Sequence, residues 1–434
     1  MRRRNGARSA SVALGTVLLA SCGSQGTPSA TSSGPAISSF KAMPSQPVAG
    51  ETAVLVAVYD GGTGVVEPGG VALRSGAATR VGPVTSETAY TLTVTAGDGR
   101  TATARASVAP GPAKLTPRAT LGYYTGSSES YAAISSYHPY LSLVSADVYA
   151  VLSSGALSGG DSLDATANAS AHGSRVYACV SNYGASDFDA ALAHAAMVTH
   201  EADTVANLLS LAAGGGYEGV NLDFENLAYS ANLADDRAAY TSFVHDLAAQ
   251  LHDRGFKLVL SVPGKTDDSP EDPWSYPFDL AALGKEADYL QLMTYDEHGP
   301  GWSGPGPVSG VDWVEDCVVY ARTLVPPSRL LVGLPAYGYD WDRTAGSGTS
   351  VSWKDVPALL GRTGAVAHWD RVSHSPYVTY TDGSGHSHEA WYEDAESIRA
   401  KARLVTAHDL AGISMWSLGQ EDAGFWQAAL QGLQ

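Results

Sequence analysis

The sequence predicts an α/β protein, a (β/α)8 or TIM barrel over residues 118–434 that follows a small all-β sandwich. Three observations predict this fold class. After residue 117, short apolar runs alternate with amphipathic helical stretches, as in a parallel sheet covered by helices. Eight such runs suit a closed barrel, whose catalytic groups lie at the carboxyl ends of its strands. Before residue 110 the runs are short, β-rich and separated by turns.

The first 22 residues have the pattern of an export signal. Four arginines precede an apolar run over residues 11–20, which is too short to span a bilayer by itself. The run closes on Leu19-Ala20-Ser21-Cys22, where a cysteine after small residues can be acylated. We predict a lipoprotein signal peptide over residues 1–22, with Cys22 as the lipidation site, and a flexible tether over residues 23–39. The protein is therefore expected to be exported and held on the outer face of the cell membrane or in the cell wall by this lipid alone.

The charge and the cysteine content limit the binding partners and the cofactors that we expect for this protein. The net charge is -18, so the surface repels polyanions and nucleic-acid binding is disfavoured. If Cys22 carries lipid, Cys179 and Cys317 remain, and we expect both to be buried free thiols. No cofactor and no required metal are predicted, because His386-Ser387-His388 has no third histidine nearby. The mature protein is expected to be a monomer.

The β-rich runs before the barrel predict a sandwich over residues 40–109. These runs span residues 53–59, 70–73, 89–95 and 101–108. Residues 84–94 resemble the closing strands of bacterial immunoglobulin-like modules, which implies a spacer domain. Proline and glycine then predict a linker over residues 110–117.

Eight strand-like runs carry the barrel prediction. They span residues 120–124, 141–150, 175–180, 219–224, 257–262, 289–295, 330–335 and 412–416. Helical stretches are clearest at residues 203–213 and 237–254. Between the last two strands, at about residues 345–400, two short β-runs flank a turn at Asp382-Gly383, which predicts a small insertion containing a β-hairpin. An open doubly wound sheet, with its ligand at a topological switch point, is the alternative architecture.

Residues 220–225 carry the chemistry. Apolar and polar residues alternate there, and successive strand side chains point to opposite faces, so Asn221, Asp223 and Glu225 are expected to point into the barrel. Asp223 and Glu225 are roughly 7 Å apart along the strand, so ionising both costs energy and one pKa should rise. A carboxyl group that stays protonated near neutral pH can act as a general acid. We assign that role to Glu225, which lies nearer the carboxyl end of the strand, with Asp223 as its partner.

Several motifs resemble glycoside hydrolase family 18. Residues 216–225 resemble the family signature, in which aspartates at alternating positions lead to a terminal catalytic glutamate. Met293-Thr294-Tyr295-Asp296 resembles the sixth-strand motif and residues 333–338 the seventh-strand motif, and Trp416 matches the eighth-strand tryptophan that floors the cleavage subsite. These matches occur in order from residue 120 to the carboxyl terminus. The resemblance implies a TIM barrel that hydrolyses N-acetylhexosamine glycans.

Within this family the chain is most similar to the spore-germination, cortex-lytic branch, which acts on peptidoglycan. Residues 294–298, 336–341 and 416–422 carry that resemblance. Two positions depart from the general pattern: Glu218 stands where an aspartate is usual, and Asn221 replaces the middle aspartate. Because an asparagine does not titrate, Asp223 loses one proton-sharing partner.

The family resemblance also implies a mechanism with substrate assistance and net retention. The 2-acetamido oxygen of the sugar attacks the anomeric carbon while Glu225 protonates the departing oxygen, and Glu225 afterwards activates water. Asp223 would bond the acetamido N–H and balance the charge of the oxazolinium, and Tyr295 would hold the acetamido oxygen. Spacing alone leaves open that Asp223 attacks directly as a nucleophile.

Aromatic side chains are expected in the groove, because sugar rings bury their apolar faces on aromatic planes. The predicted catalytic residues are Glu225, Asp223 and Tyr295. The predicted substrate-binding residues are Trp416, Asp296, Asn221, Tyr123, Tyr337, Met293 and Trp341, with Trp302 and Trp391 as further aromatic candidates. Glu393 is expected to be a surface carboxylate rather than part of the groove.

The predicted reaction is hydrolysis of β-1,4 bonds to N-acetylglucosamine, with peptidoglycan preferred over chitin. The alternatives within enzymes are a chitinase and an endo-N-acetylglucosaminidase that acts on N-linked glycans. A catalytically silent glycan-binding lectin can share the same fold. The presence of Glu225 argues against the lectin.

Overall fold

The computed structural model of the protein describes residues 34–434. The predicted signal peptide with Cys22, and the tether as far as residue 33, lie outside the described residues. The tether prediction is wrong at its end, because Ala36–Met43 is a strand whose Phe40 and Ala42 pack against an apolar core. No helix between residues 34 and 434 combines the length and apolar character needed to cross a membrane.

Two antiparallel sheets form the predicted sandwich. Its strands are β1 (Ala36–Met43), β2 (Ala53–Asp60), β3 (Thr63–Glu67), β4 (Val71–Leu73), β5 (Ala77–Val81), β6 (Thr88–Thr95) and β7 (Thr101–Val108). One sheet has the order β1-β2-β5 and the other β4-β3-β6-β7. Leu55 from the first sheet and Leu92 from the second meet in a shared core. The immunoglobulin-like character of this unit stays a prediction.

Eight parallel strands close into the predicted barrel. They are β8 (Ala119–Tyr124), β9 (Leu143–Val151), β11 (Arg175–Ser181), β12 (Gly219–Asp223), β13 (Lys257–Pro263), β14 (Tyr289–Met293), β15 (Leu330–Pro335) and β21 (Gly412–Trp416), and the short β10 (Leu157–Gly159) pairs antiparallel to β9. The barrel closes because β8 pairs in parallel with both β9 and β21. The (β/α)8 prediction is therefore confirmed, and the open doubly wound alternative is wrong.

Helices cover the outside of the barrel. They are α1 (Ser128–Tyr137), α2 (Ala165–Ala171), α3 (Ala190–His194), α4 (Glu201–Gly215), α5 (Leu233–Asp253), α6 (Leu280–Glu286), α7 (Val311–Arg322), α9 (Ala395–Ala407) and α10 (Ala423–Leu433), while α8 (Val356–Leu360) belongs to the insertion between the last two barrel strands. Their starts follow capping chemistry: the Asn232 side chain accepts from a first-turn N–H of α5, and Asp394 with Ser397 forms a capping box on α9. Val220 and Leu222 of β12 belong to the fully buried layer between strands and helices, so the polar residues between them face the barrel interior.

The insertion between the last two barrel strands contains more strands than the single hairpin that was predicted. It is a five-stranded antiparallel sheet of β16 (Tyr337–Asp342), β17 (Ser347–Ser352), β18 (Val366–Asp370), β19 (Ser375–Thr381) and β20 (Ser387–Trp391). The predicted hairpin around Asp382-Gly383 is the β19–β20 pair. The predicted bounds of about 345–400 are wrong, because the insertion begins at Tyr337, where β16 pairs with β17 and β20, and α9 has already begun by residue 395.

The prediction of Glu393 as a surface carboxylate is also wrong. Glu393 is 2% exposed, and its carboxylate accepts a hydrogen bond from the fully buried Lys401 ammonium at 2.6 Å. Both cysteines that fall within the described residues, Cys179 and Cys317, are buried and free, as predicted.

The sandwich packs on the amino-terminal end of the barrel. Strand β2 is buried on both faces, since Leu55 and Ala57 enter the sandwich core while Val54 and Val56 join the barrel core. An ion pair with a buried acid adds to this contact: the Glu218 carboxylate binds the exposed Arg80 of the sandwich and also Arg175 of the barrel, the latter at 3.3 Å. Glu218 thus uses its extra methylene to reach a second domain.

This ion pair yields a stability prediction. Arg80→Ala leaves the Glu218 carboxylate, which is 3% exposed, with Arg175 as its remaining cation, and we expect a loss of about 2 kcal/mol, the cost of an under-satisfied buried polar group. Arg74→Ala is the matched control, because its pair with Asp253 is exposed and should contribute less than about 1 kcal/mol. Denaturant unfolding of both variants measures the difference. Equal losses would contradict a buried, stabilising contact between the domains.

Candidate active site

The carboxyl ends of the barrel strands open into a cleft of ≈ 730 Å³, a volume typical of ligand sites. The cleft is lined by Tyr123, Asp187, Phe188, Asp223, Glu225, Pro263, Gly264, Trp274, Met293, Tyr295, Asp296, Glu297, Trp302, Trp313 and Trp416. Acidic groups and aromatic rings dominate this lining, which holds four tryptophans, three tyrosine or phenylalanine residues and five carboxyl-bearing residues. Such a surface suits an uncharged, hydroxyl-rich ligand with apolar ring faces.

The two predicted catalytic carboxyl groups both lie in this cleft. Asp223 is the last residue of β12 and is 3% exposed. Glu225 follows two residues later and is half-buried at the cleft floor. Because Phe224 between them is fully buried on the opposite face, the strand alternation directs both carboxyl groups into the cleft.

Both carboxyl groups have raised pKa values. Burial raises the pKa of Asp223 to about 7, and the nearby Asp147 carboxylate adds to this rise. Burial raises the pKa of Glu225 well above its ordinary range, and the negative charges of Asp223 and Asp296 raise it further. Both effects favour the protonated form of Glu225, the form that a general acid needs.

The backbone of Glu225 is fixed by a side chain that sequence reasoning missed. Asn182, fully buried after β11, accepts a hydrogen bond from the Glu225 N–H at 2.8 Å and donates its amide to the Glu225 carbonyl at 2.8 Å. The next residue, Asn226, has a φ of 52°, which a non-glycine residue rarely adopts. This two-sided contact holds the chain where it leaves the barrel and aims the glutamate side chain.

A polar layer lies directly beneath the carboxyl groups. The Asn221 amide donates to the Tyr123 hydroxyl at 2.9 Å and to the Ser145 hydroxyl at 2.8 Å. The Ser261 hydroxyl lies 3.3 Å from the Asn221 amide oxygen and 3.0 Å from the Tyr123 hydroxyl. Because buried polar networks are rigid when every member is satisfied, this layer fixes the floor on which Asp223 stands.

Tyr295 and Asp296 follow β14 and face the carboxyl pair. Tyr295 lines the cleft, and its hydroxyl is 3.5 Å from the Gln291 amide. Asp296, with a φ of 60°, accepts hydrogen bonds from the hydroxyl groups of Tyr337 at 2.6 Å and Tyr339 at 2.8 Å. A residue in this backbone conformation persists only where its surroundings hold it, and the two tyrosines supply that restraint.

Aromatic side chains form the floor and rim of the cleft. Trp416, at the end of β21, is half-buried and lies 5.3 Å from the Tyr123 ring. Trp302 and Trp274 are 58% and 46% exposed, which is unusual for tryptophan outside a binding surface. Trp302 was among the aromatic candidates from the sequence. Trp274 was not, because it lies in a loop and no local sequence pattern indicates that this loop borders the cleft.

Three predicted substrate contacts are corrected by the structure. Asn221 lies below the cleft in the polar layer, and Tyr337 is buried with its hydroxyl on Asp296. Trp341 is 5% exposed and packs against Tyr339. Trp391 does not line the cleft either, because it stacks on Tyr377 within the insertion at 4.4 Å. Asn221 and Tyr337 thus support residues that line the cleft, whereas Trp341 and Trp391 pack within the insertion.

Within the described residues 34–434, a single group of side chains could hold a metal ion. It consists of Asp147, Cys179 and Asp223. Asp147 and Cys179 were not singled out as site residues, since each sits alone in an apolar strand and only the barrel closure brings them to Asp223. The His386 and His388 rings bind Asp342 and Asp340 separately and do not converge.

Comparisons with known proteins agree with this geometry. A family model described as Glycosyl hydrolases family 18 matches residues 120–421. An uncharacterized glycosylase, YvbX, of Bacillus subtilis strain 168 is 34% identical over 318 residues, which is 72% of this chain and 91% of that protein. A cortical fragment-lytic enzyme of the same bacterium is 33% identical over 210 residues, which is 47% of each chain. The crystal structure of a chitinase from Chromobacterium violaceum has a TM-score of 0.69 at 39% identity and covers 73% of this chain and 99% of its own.

The raised pKa of Asp223 yields a prediction that needs no substrate. The folded protein holds a proton on Asp223 up to a pH of about 7, whereas the unfolded chain releases it near pH 3.9. The unfolding free energy therefore falls as pH rises between these values. Asp223→Asn removes this titration, and we expect its melting temperature to exceed that of the wild type by a few degrees at pH 8 and by less at pH 5.

The control for this experiment is Asp60→Asn, on the exposed end of β2. It should follow the pH dependence of the wild type. A melting-temperature difference for Asp223→Asn that is the same at pH 5 and pH 8 would contradict a raised pKa.

Proposed function

Since this chain belongs to glycoside hydrolase family 18 and is a glycosidase, we propose that it hydrolyses β-1,4-linked N-acetylglucosamine glycans with net retention, and that peptidoglycan is its preferred substrate. The observation that carries the mechanism is the pair of carboxyl groups, the buried Asp223 and the half-buried Glu225, on the floor of a cleft with aromatic walls. The environments of the two carboxyl groups differ, which supports different roles for them in the reaction.

Glu225 is the general acid. It lies in the cleft, and its raised pKa keeps it protonated until the glycosidic oxygen departs with the proton. Once the leaving sugar has gone, the Glu225 carboxylate takes a proton from water, which then attacks the anomeric carbon. The Asn182 contacts on both sides of the Glu225 peptide keep the side chain in one place for both steps.

Asp223 assists the acetamido group of the substrate. The acetamido oxygen attacks the anomeric carbon, and the Asp223 carboxylate accepts the acetamido N–H and balances the positive charge of the oxazolinium. One carboxylate oxygen of Asp223, Oδ1, has no hydrogen-bond partner although it is buried, so a donor is missing that the acetamido N–H can supply. Tyr295, on the facing wall, would donate its hydroxyl to the acetamido oxygen.

Aromatic rings support binding of the sugar chain. Trp416 lies under the carboxyl pair and offers a plane for the sugar whose bond is cut. Trp302 and Trp274 extend the apolar surface along the cleft rim. Sugar units on both sides of the cleaved bond can therefore stack while their hydroxyl groups stay solvated.

Peptidoglycan is favoured over chitin by the similarity to the cortical fragment-lytic enzyme, of which the chain matches 47%. The similarity to the Chromobacterium chitinase, at 39% identity, makes chitin the second candidate substrate. The lipoprotein signal predicted over residues 1–22 would place the enzyme outside the cell membrane, where peptidoglycan lies, so export and lipid anchoring belong to the same proposal.

Replacement of the acid tests the catalytic assignment. Glu225→Gln keeps the shape of the side chain and removes its proton, so we expect kcat on N-acetylchitooligosaccharides to fall by a factor of about 10² to 10⁴, while oligosaccharide binding persists. Release of reducing ends and calorimetric binding measure the two effects. Glu396→Gln, on an exposed turn of α9, is the matched control and should keep wild-type kcat. A protein that binds glycans but releases no reducing ends, with or without Glu225, would instead be a lectin.

Product analysis tests the substrate. We expect mass spectrometry of digested peptidoglycan to show muropeptides with N-acetylglucosamine at the reducing end, formed faster than products from chitin oligomers. Products from chitin alone would overturn the preference for peptidoglycan and leave the glycosidase assignment intact.

A further inference from the structure

Trp274 lies in a loop, residues 264–279, that has neither helix nor strand and joins β13 to α6. Compact domains rarely keep a loop of more than about 12–15 residues without regular structure unless the loop has a function. Gly264, its first residue, lines the cleft together with Trp274. A tryptophan on an unrestrained loop must be ordered before it can hold a sugar, and this ordering costs free energy. The contacts that restrain the loop therefore affect how tightly the cleft binds its ligand.

A buried ammonium group ties the two ends of this loop together. Lys265, the second residue of the loop, is 7% exposed. Its Nζ donates a hydrogen bond to the Asp268 carboxylate at 2.6 Å. It also donates to the backbone carbonyls of Ser275 at 3.3 Å and Phe278 at 2.7 Å. An ammonium group has three donors, and here they join the chain before Trp274 to the chain directly after it.

Helix α5 supplies a second cation. Arg237 donates from its two terminal nitrogens to both carboxylate oxygens of Asp268, at 2.9 and 2.8 Å. The same guanidinium group donates to the Tyr276 carbonyl at 2.8 Å and lies 4.8 Å from the centre of the Tyr276 ring. It also pairs with Asp279 at 3.1 Å. Because a bidentate contact fixes direction as well as distance, Arg237 joins three points of the loop firmly to a barrel helix.

Asp268 is the point where both cations meet. Burial alone would raise the pKa of Asp268, but the hydrogen bonds from Arg237 and Lys265 lower the pKa below its ordinary value, so the carboxylate stays charged. The Arg237 side chain is 17% exposed and the Lys265 side chain 4% exposed. Two such cations would repel each other without the anion between them. We call Lys265, Asp268 and Arg237 the clamp, and its integrity depends on Asp268.

The Trp274 ring is left available by these contacts. The Trp274 N–H donates to the Asp272 carboxylate at 3.0 Å, and the Ser275 hydroxyl donates to the same carboxylate. These bonds fix the backbone of the turn, whereas the Trp274 ring is 46% exposed and lines the cleft. The three clamp residues lie outside the set that lines the cleft, and Arg237 borders a surface groove between α5 and α6. The clamp can therefore influence a ligand only through the loop that it holds.

We propose that Asp268 is a positioning residue which, through the clamp, holds Trp274 against a sugar unit remote from the bond that is cut. The inference rests on the proposed function. A sugar ring that stacks on Trp274 adds binding energy that is the same in the bound substrate and in the transition state. The clamp thus tightens binding of N-acetylglucosamine chains long enough to reach from Glu225 to Trp274, and it leaves the rate of bond cleavage unchanged.

The dependence on chain length tests this inference. We expect Asp268→Asn to raise KM on an N-acetylglucosamine hexamer by a factor of about 3 to 10, the range of one aromatic contact. Its kcat, and its KM on the trimer, should stay near the wild-type values, because the lost interaction is uniform binding at a distant sugar. Trp274→Ala should show the same pattern. The double variant should be no weaker than Trp274→Ala alone, because the clamp acts through that ring.

Asp288→Asn is the matched control. Asp288 also binds a lysine ammonium at 2.6 Å, that of Lys257 at the opposite end of β13, and its side chain is less exposed than that of Asp268, 20% against 38%. Asp288→Asn should therefore cost at least as much stability without changing KM on either oligomer. Arg237→Lys keeps the charge and loses the bidentate contact, so its KM on the hexamer should be intermediate. Arg237→Met should match Asp268→Asn.

Binding gives a readout that does not need hydrolysis. In a Glu225→Gln background, calorimetry should show weaker hexamer binding for Asp268→Asn and unchanged binding for Asp288→Asn. If Asp268→Asn fails to fold, Arg237→Met carries the same predictions.

Three outcomes would overturn the clamp. The first is an equal rise in KM on the hexamer and the trimer, and the second is a fall in kcat with KM unchanged. The third is a double variant in which the effects of Asp268→Asn and Trp274→Ala add. If the wild type releases no product while Asp268→Asn weakens hexamer binding in calorimetry, the proposed function fails and the clamp stands.

Discussion

The catalytic end of the barrel depends on one constraint, the burial of carboxyl groups in a desolvated cleft where no cation among residues 34–434 forms an ion pair with Asp223, Glu225 or Asp147. Asp223, Glu225 and Asp147 respond by binding protons more tightly than they would in water. This burial lowers the stability of the folded state at neutral pH. It also supplies a proton donor, because a carboxyl group that resists ionisation keeps its proton until a leaving oxygen takes it.

The remainder of the fold holds these groups still. The polar layer of Asn221, Tyr123 and Ser261 supports the strand end beneath Asp223, and Asn182 fixes the chain beyond it. At the opposite end of the barrel, the Glu218 ion pairs join β12 to the sandwich. The strand that carries the catalytic pair is thus restrained at both ends, by a polar network at one and by a second domain at the other. The domain contact at Glu218 and the catalytic carboxyl groups thus lie at opposite ends of the same five-residue strand.

Much of this could be predicted from local sequence pattern. The alternation at residues 220–225 predicted which side chains enter the barrel, because a strand has a fixed period of two, and the apolar runs predicted the eight strands. The predictions that were wrong concern side chains whose surroundings are formed by residues distant in sequence. The buried ion pair of Glu393 with Lys401 and the position of Trp341 beneath Tyr339 follow from how the insertion folds on itself. Asp147 looks like a lone acid in an apolar strand, and only the pairing of neighbouring strands brings it near Asp223.

The central claim is that Asp223 and Glu225 act together on a sugar that supplies its own acetamido nucleophile. The crystal structure of Glu225→Gln with a bound N-acetylchitooligosaccharide tests this most directly. The account predicts a sugar ring on Trp416, with its acetamido oxygen within roughly 3.5 Å of the anomeric carbon, as in a near-attack conformer, and its acetamido N–H on the Asp223 carboxylate. An acetamido group turned away from Asp223, with that carboxylate itself beneath the anomeric carbon, would contradict it.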